Sequence, residues 1–344
     1  MTSAAVTQSS LDELQQFWTK NHVSSRNLWP DATLPGAGGK DLRAVLAAQH
    51  SRRLLQDERT LKIVLRRHGE VAALACLIPL DWDSEQFGFP AARLEIVCAH
   101  EDHPQSLADR HELLERISDL CRRQSVCHLT ARVDADELVT IHSLEHSGFE
   151  LIDGIQTLSV RLPAPGPEAV AACDVRLYRT ADLDQILDIA RTAYVCDRFH
   201  SDWSLSHSKA DRVNEAWVRN CCLGRMADAV IVGAYGDTVL GYVTCKFDTE
   251  ATRLLGVGCG VIGMVATAAA ARNTGVALAA SRGALDWFHR HGAAAVEVGT
   301  QLRNTAAGRL YERCGFRLAR VSLTFRKWIG DASAIISEGA AHAM

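Results

Sequence analysis

Ile262-Gly263-Met264-Val265-Ala266-Thr267, then Ala268-Ala269-Ala270-Ala271, then Arg272-Asn273-Thr274-Gly275-Val276-Ala277-Leu278 is the stretch whose reading decides the fold. The apolar run predicts a strand over Val261–Ala266. A short loop follows, and it opens a helix over Gly275–Arg290, with apolar or small residues at Val276, Leu278, Ala279, Leu285 and Phe288. The first-turn N–H groups of a helix have no partner within it, and the macrodipole adds positive potential there. Phosphate binds well at such a place. Gly275 lacks the Cβ that would obstruct close approach, Ala277 is small, and Arg272 can add a charged contact. Arg272 through Leu278 is therefore a candidate phosphate cradle.

Downstream, a strand over Val296–Thr300 leads to Asn304, and Tyr311 follows seven residues later in Asn304-Thr305-Ala306-Ala307-Gly308-Arg309-Leu310-Tyr311-Glu312-Arg313-Cys314-Gly315-Phe316. The order strand, R-x-x-G-x-A loop, helix, strand, Asn, Tyr, Gly-Phe resembles the GNAT superfamily of acyl-CoA transferases. The resemblance covers Val175–Trp328. It implies an α/β (α+β) domain with a mixed, mostly antiparallel sheet flanked by helices, and acetyl-CoA as co-substrate without a metal. By position, it implies that the strand end Val265, Ala266 and Thr267 holds the pantetheine arm. The amides of Asn273, Thr274, Gly275, Val276, Ala277 and Leu278 would hold the pyrophosphate, Asn304 would touch the cofactor, and Tyr311 would lie at the thioester sulfur. Asn273 and Thr274 depart from the usual glycine and basic residue, and Ala277 stands where glycine is commoner.

The implied chemistry is direct attack of an amine on the thioester carbonyl. The amine must first lose a proton to a base. Charge building on the carbonyl oxygen calls for a main-chain N–H on Met264–Ala266. The leaving thiolate needs an acid, and the phenol of Tyr311, with a usual pKa of about 10, suits that role. His200 is the expected base, with Glu297 on the strand as a second candidate.

Working outward, the second half reads as a strand at Val175–Tyr178, a helix from Asp182 to Tyr194 capped by Thr180, a polar loop Cys196–Asp202, a helix over Lys209–Cys222, a hairpin of Val230–Ala234 with Val239–Phe247, and later a helix over Ala306–Cys314 and a last strand Ala319–Lys327. A similar pattern stands 167 residues earlier. Gly148-Phe149 matches Gly315-Phe316, His68-Gly69-Glu70 matches Tyr235-Gly236-Asp237, and the helical run Ala108–Arg123 matches Gly275–Arg290. Three prolines in Pro163–Pro167 break the chain between the copies. We expect a degenerate copy over residues 1–165, opened by helices that include one starting in the capping-box form Ser10-Leu11-Asp12-Glu13, and a catalytic copy over 166–344. Leu34–Lys40, rich in glycine, reads as a loop. The first copy lacks the site: Gln105–Ala108 replaces the glycine loop, and Leu144 replaces Tyr311, so its expected role is structural or to help form the substrate pocket.

The chain has 344 residues, 47% hydrophobic and 23% charged, with a formal net charge of −4. That balance argues against a nucleic-acid partner. No apolar run nears the roughly 20 residues of a membrane span, and Met1–Ser10 lacks signal-peptide features, so a cytoplasmic protein is expected. Eleven cysteines without C-x-x-C pairs read as reduced thiols, and the 14 histidines form no ligand motif.

Two segments bear on the acceptor. Asp81-Trp82-Asp83-Ser84-Glu85-Gln86-Phe87-Gly88-Phe89-Pro90 resembles the accessory-domain opening of nucleotide-sugar N-acetyltransferases of the TDP-fucosamine kind, although Asp83 and Glu85 read equally as surface turn residues. Asp197-Arg198-Phe199-His200-Ser201-Asp202 concentrates charge suited to a hydroxylated or charged substrate, and it reads equally as a solvated loop. The expected partner is a small-molecule amine, on a nucleotide-sugar in the reading the resemblance favours. An aminoglycoside, a peptide N-terminus, or a non-catalytic CoA-binding scaffold are the other readings. An exposed sheet edge is where a homodimer would form.

Overall fold

The structure is a computed structural model, and it describes residues 8–21, 42–100, 103–164 and 172–330. The expected loop Leu34–Lys40, the start of the chain and the boundary at residue 165 lie outside these residues. The elements in chain order are α1 (Gln8–Asn21), α2 (Leu42–Gln56), β1 (Leu61–Arg67), β2 (Glu70–Pro79), α3 (Asp81–Phe87), β3 (Ala91–Ala99), α4 (Ser106–Arg123), β4 (His128–Asp134), α5 (Leu138–His146) and β5 (Glu150–Arg161). Then come β6 (Asp174–Leu177), α6 (Leu183–Ala193), α7 (Arg198–Ser201), α8 (His207–Cys222), β7 (Ala229–Tyr235), β8 (Thr238–Phe247), α9 (Thr249–Leu255), β9 (Gly258–Thr267), α10 (Val276–Arg290), β10 (Ala293–Gln301), α11 (Thr305–Arg313) and β11 (Arg317–Trp328).

Two compact units share these elements. One holds Arg43–Asp153 together with α1 and the chain from Ser322, and the other holds Gly154–Val321. In the first, β1, β2 and β3 run antiparallel, β3 and β4 pair in parallel, and β4 pairs antiparallel with Ser322–Trp328 of β11. In the second, β6, β7, β8 and β9 run antiparallel, β9 and β10 pair in parallel, and β10 pairs antiparallel with Ile155–Arg161 of β5. The mixed, mostly antiparallel sheet expected from the sequence is thus present in both units. β5 and β11 occupy equivalent places in the repeat, yet each completes the sheet of the other unit. The compact units are therefore cut inside β5 and β11, whereas the sequence copies meet near residue 165.

Local chemistry explains most of the elements. The β1–β2 turn holds His68 and Gly69 at φ 53° and 92°, the pair of positive angles that a two-residue hairpin requires. α10 buries Ala280, Ala284, Leu285 and Phe288 against Ile231, Val243, Ile262, Val296 and Val298, which forms the core of the second unit. The first unit packs Leu113, Leu114 and Ile117 of α4 against Leu65, Ala75, Leu94 and Ala131.

Several local readings differ from the expectation. α6 is introduced not by Thr180 but by Asp182, whose carboxylate accepts the Arg179 N–H at 2.7 Å and pairs with Arg176. α1 begins at Gln8, so Ser10 lies inside it. Asp83 is no surface turn residue: it sits in α3 at 8% exposure. The helix α9 was not foreseen, because its start is fixed by Asp248, which accepts the Ala251 N–H at 2.8 Å. All eleven cysteines are free thiols. No helix among the described residues is long and apolar enough to cross a membrane.

Candidate active site

The site is built where two parallel strands part. β9 and β10 pair from Gly258/Ala293 to Ile262/Val298 and no further. β10 continues to Gln301 along β5, while β9 continues to Thr267 along β8. The cause is a β-bulge. Val243 faces Val265 and Cys245 faces Ile262, so Thr244 alone opposes both Gly263 and Met264. An extra residue bends the bulged strand and raises its twist. Thr244 fixes the bulge, since its Oγ1 accepts the Met264 N–H at 2.8 Å.

The alternation of a strand then decides which amides are free. The N–H of Met264 points to β8, and so does that of Ala268, which donates to Leu240 O at 2.8 Å. The intervening odd positions, Val265 and Thr267, turn their N–H and C=O groups the other way, into the fork. Ala266 shares the orientation of Met264 and is 6% exposed. Of the expected oxyanion donors, Met264 is thus committed to Thr244, and Val265 is the one whose amide faces the opening.

Beyond Thr267 the chain makes one turn of 3-10 helix, Ala269–Ala271, and reaches α10 through Arg272, Asn273, Thr274 and Gly275. Asn273 and Gly275 have φ of 64° and 92°. A left-handed angle suits glycine and is tolerated by asparagine, which explains the residue found at each place. The Thr274 hydroxyl donates to Ala271 O at 2.7 Å and tightens the loop. Among the described residues, the main-chain N–H groups of Asn273 through Leu278 make no main-chain hydrogen bond of ordinary geometry. Arg272, Asn273 and Thr274 are exposed, and Arg272 has no ion pair among the described residues. Amides without main-chain partners among the described residues, at the positive end of a 15-residue helix and beside the Arg272 guanidinium, are suited to an anion.

At the far side of the fork, Asn304 caps α11 by accepting the Ala307 N–H on its Oδ1 at 3.2 Å. Two turns on, Tyr311 is 4% exposed and packs in the cluster that contains Ile262 and Val298, the last residues paired before the strands part. Its ring meets Phe316 edge-on with centroids 5.7 Å apart. Burial pushes its pKa up, so the phenol is neutral and holds its proton.

The loop after α6 is organised rather than solvated. Asp197 caps α7 by accepting the N–H groups of Phe199 and His200, and its Oδ2 accepts from Asn214 Nδ2 at 2.7 Å. Arg198 lies over the Phe199 ring at 4.1 Å. His200 sits between carboxylates, with Nδ1 2.9 Å from Asp197 and Nε2 3.1 Å from Asp211. Burial works against charge on this ring, but the hydrogen bonds and charges of Asp197 and then Asp211 outweigh it and raise its pKa. A doubly hydrogen-bonded imidazolium has no lone pair with which to accept a proton. The geometry therefore disfavours the expected base role, and His200 instead holds the loop together. Arg303, just before Asn304, clamps the same loop by donating to Ser201 Oγ at 2.8 Å and Val195 O at 3.3 Å.

Glu297 lies on β10 opposite Val261, one residue before the last pair of the fork. It is half-buried, on the alternate face from Val296 and Val298. Burial raises its pKa to about 8, partly offset by Arg320. Among the described residues no group of three or more His, Cys, Asp or Glu side chains could hold a metal.

The first unit has the same fork with its contents replaced. β3 and β4 pair only from Ala91/His128 to Leu94/Ala131, and Val97 to Ala99 run on beyond. Those residues are 2% exposed or less, and Ile141 and Leu144 of α5 share a cluster with Val97 and Ala99. The repeat places Ile141 at Gly308 and Leu144 at Tyr311. A Cβ at Gly308 would come 3.1 Å from Gln156 Nε2, so α11 lies close to β5 there and a larger residue requires the Gln156 side chain to move. Sequence reasoning missed Gly308, although a glycine inside a helix, opposite an isoleucine in the copy, was a readable signal. It also missed Thr244 and Arg303, which carry no motif. Gly308→Ile is expected to lower acetyl-CoA affinity by roughly 100-fold, since a filled fork leaves the arm no path and small core changes displace neighbours. Isothermal titration measures it, and unchanged affinity in a folded variant would refute the packing argument.

Comparisons with known proteins bear on the family and the fold. Residues 184–316 match the Acetyltransferase (GNAT) family. This part of the chain is a GNAT acetyltransferase domain, and the protein is an acetyltransferase. The chain is 24% identical over 242 residues to the dTDP-fucosamine acetyltransferase of Escherichia coli O6:H1, covering 70% of this chain and 93% of that protein. It is 27% identical over 250 residues to the spore coat polysaccharide biosynthesis protein SpsD of Bacillus subtilis strain 168, covering 72% of this chain and 81% of that one. Among solved structures, a tandem GNAT protein from the clavulanic acid biosynthesis pathway superposes with a TM-score of 0.54 at 14% identity, covering 95% and 97% of the two chains. That likeness supports the tandem fold alone.

Proposed function

We propose that this protein transfers the acetyl group of acetyl-CoA to a primary amine on a nucleotide-linked sugar, by direct attack within the fork of β9 and β10. The observation that carries the reading is that, among the described residues, the amides from Asn273 to Leu278 at the start of α10 make no main-chain hydrogen bond. They suit the pyrophosphate, with Arg272 beside them. The amide of Val265 and the carbonyls of Val265 and Thr267 suit the pantetheine arm, and Asn304 closes the far side. The Val265 N–H also serves as donor to the carbonyl oxygen of the thioester as it gains charge. Tyr311 protonates the leaving thiolate. Glu297 takes the proton of the attacking ammonium, directly or through water; its raised pKa brings it close to that of an amine.

The acceptor reading rests on the resemblance of Asp81–Pro90 and on the name of the Escherichia coli relative. The loop Asp197, Arg198, Phe199 and His200 would meet the acceptor, with the guanidinium of Arg198 suited to oxygen-rich or phosphorylated groups. Thiol release measured with acetyl-CoA and a panel of amines tests it. Turnover is expected on a nucleoside-diphosphate amino sugar. Turnover confined to an aminoglycoside or a peptide N-terminus would overturn the sugar assignment, and acetyl-CoA binding without turnover on any amine would favour a scaffold.

A further inference from the structure

The chain around Arg303 is fixed from both sides. The Leu302 N–H donates to Gly154 O of β5 at 2.7 Å, and the Asn304 N–H donates to Gln301 O at 2.9 Å. Asn304 also caps α11. Arg303 therefore springs from a rigid root, where β10 has ended and α11 begins.

Its side chain crosses to another element. Nη2 carries two hydrogens, and it donates to Val195 O at 3.3 Å and to Ser201 Oγ at 2.8 Å. Val195 follows closely on α6, and Ser201 is the last residue of α7. One nitrogen thus joins the two ends of the segment 195–201. Ser201 passes the contact inward, since its hydroxyl donates to Asp197 O at 2.8 Å. The Asp197 carboxylate in turn accepts the Phe199 and His200 N–H groups and the side-chain amide of Asn214 on α8.

The segment therefore has two ties. Asp197 and His200 bind it to α8, and Arg303 binds it to the start of α11. Phe199 buries the middle of the segment, whereas Val195 is 62% exposed. Apolar packing contributes little at the Val195 end, so there the hydrogen bonds of Arg303 set the position.

We infer that Arg303 is a positioning residue for the acceptor: it holds the segment 195–201 beside Asn304, and so sets where Arg198 and Phe199 meet the acceptor. The inference rests on the reading that this segment meets the acceptor. Without the guanidinium the two ends of the segment can part. Ordering them again when the acceptor binds then costs affinity. The amides of Asn273–Leu278 belong to other elements, so the cofactor is held as before.

Amide exchange and steady-state kinetics on the same variants test the inference. In Arg303→Ala, exchange at Phe199, His200 and Ser201 is expected to speed up by about tenfold, with no change at Asn273–Leu278. The acceptor for the kinetics is a nucleoside-diphosphate amino sugar, or the amine that the panel selects in its place. Its KM should rise about tenfold, while kcat stays within about threefold and acetyl-CoA affinity within about twofold. Arg303→Lys keeps a cationic donor and should recover part of both losses. Ser201→Ala combined with Arg303→Ala should lose less than the product of the two single losses. Unchanged exchange over 199–201 in a folded Arg303→Ala overturns the inference, and so does a loss of acetyl-CoA affinity with the acceptor KM unmoved. Faster exchange with both constants unmoved takes the segment out of the acceptor site, so that the acceptor reading of the loop fails and the inference with it.

Discussion

Tyr311→Phe is expected to lower kcat by about 10²-fold, and by at least tenfold, while acetyl-CoA affinity stays within about twofold. The substitution removes one oxygen and keeps the ring. That ring carries the packing against Phe316 and the core of the second unit, so folding should be retained. The phenol itself is buried beside the last paired residues of the fork, and burial holds it protonated. What is lost is a proton in the transition state, which acts on kcat rather than on binding. Steady-state kinetics with titration of acetyl-CoA checks this, and an unchanged kcat would remove Tyr311 from the mechanism.

Glu297→Gln is the second large effect, expected at about 10²-fold or more in kcat/KM. The carboxyl is raised to about 8 by burial, so in the wild type activity should climb with pH up to that value as the base form appears. The variant should lose that limb. A separate readout follows from linkage. A group whose folded pKa is raised contributes stability that is present below its unfolded pKa and is lost as pH rises through the folded value. For Glu297 that window runs from about 4.3, the ordinary glutamate value, to about 8. Glutamine carries no charge to bury, so the Tm of the variant should fall less across this window and be no lower than wild type at pH 8. A variant that is slow because it is misfolded would show the opposite, and a pH limb that survives would clear Glu297 of the base role.

The parts of this protein that were legible in its sequence are those fixed by local chemistry. The strand, turn and helix from Ile262 to Leu278 follow from an apolar run, a glycine and a helical period, and the structure shows them at those residues. The repeat was legible because both copies keep the same hairpin and Gly-Phe signals. The exchange of β5 and β11 was not, since a strand's partner is chosen by tertiary packing, and both strands carry the same alternation. His200 drew attention as the titratable residue of a polar loop. Its engagement by Asp197 and Asp211 depends on α8, which the loop sequence does not reveal. Thr244 is one threonine in an apolar strand, and only the register shows that it opposes two residues. Arg303 and Val195 stand 108 residues apart and meet only in the fold.

The central claim is that the bare amides of the turn before α10 receive the diphosphate of CoA. A hydrogen bond to a charged group is worth about 1.5–3 kcal/mol, enough to slow exchange of each bonded amide by roughly tenfold or more. Amide hydrogen exchange with and without CoA therefore tests it at the residues concerned. Slowed exchange is predicted across Asn273–Leu278 and at Val265 and Thr267, with no change at the equivalent start of α4 in the first unit. Exchange at Asn273–Leu278 that is the same with and without saturating CoA would contradict the account.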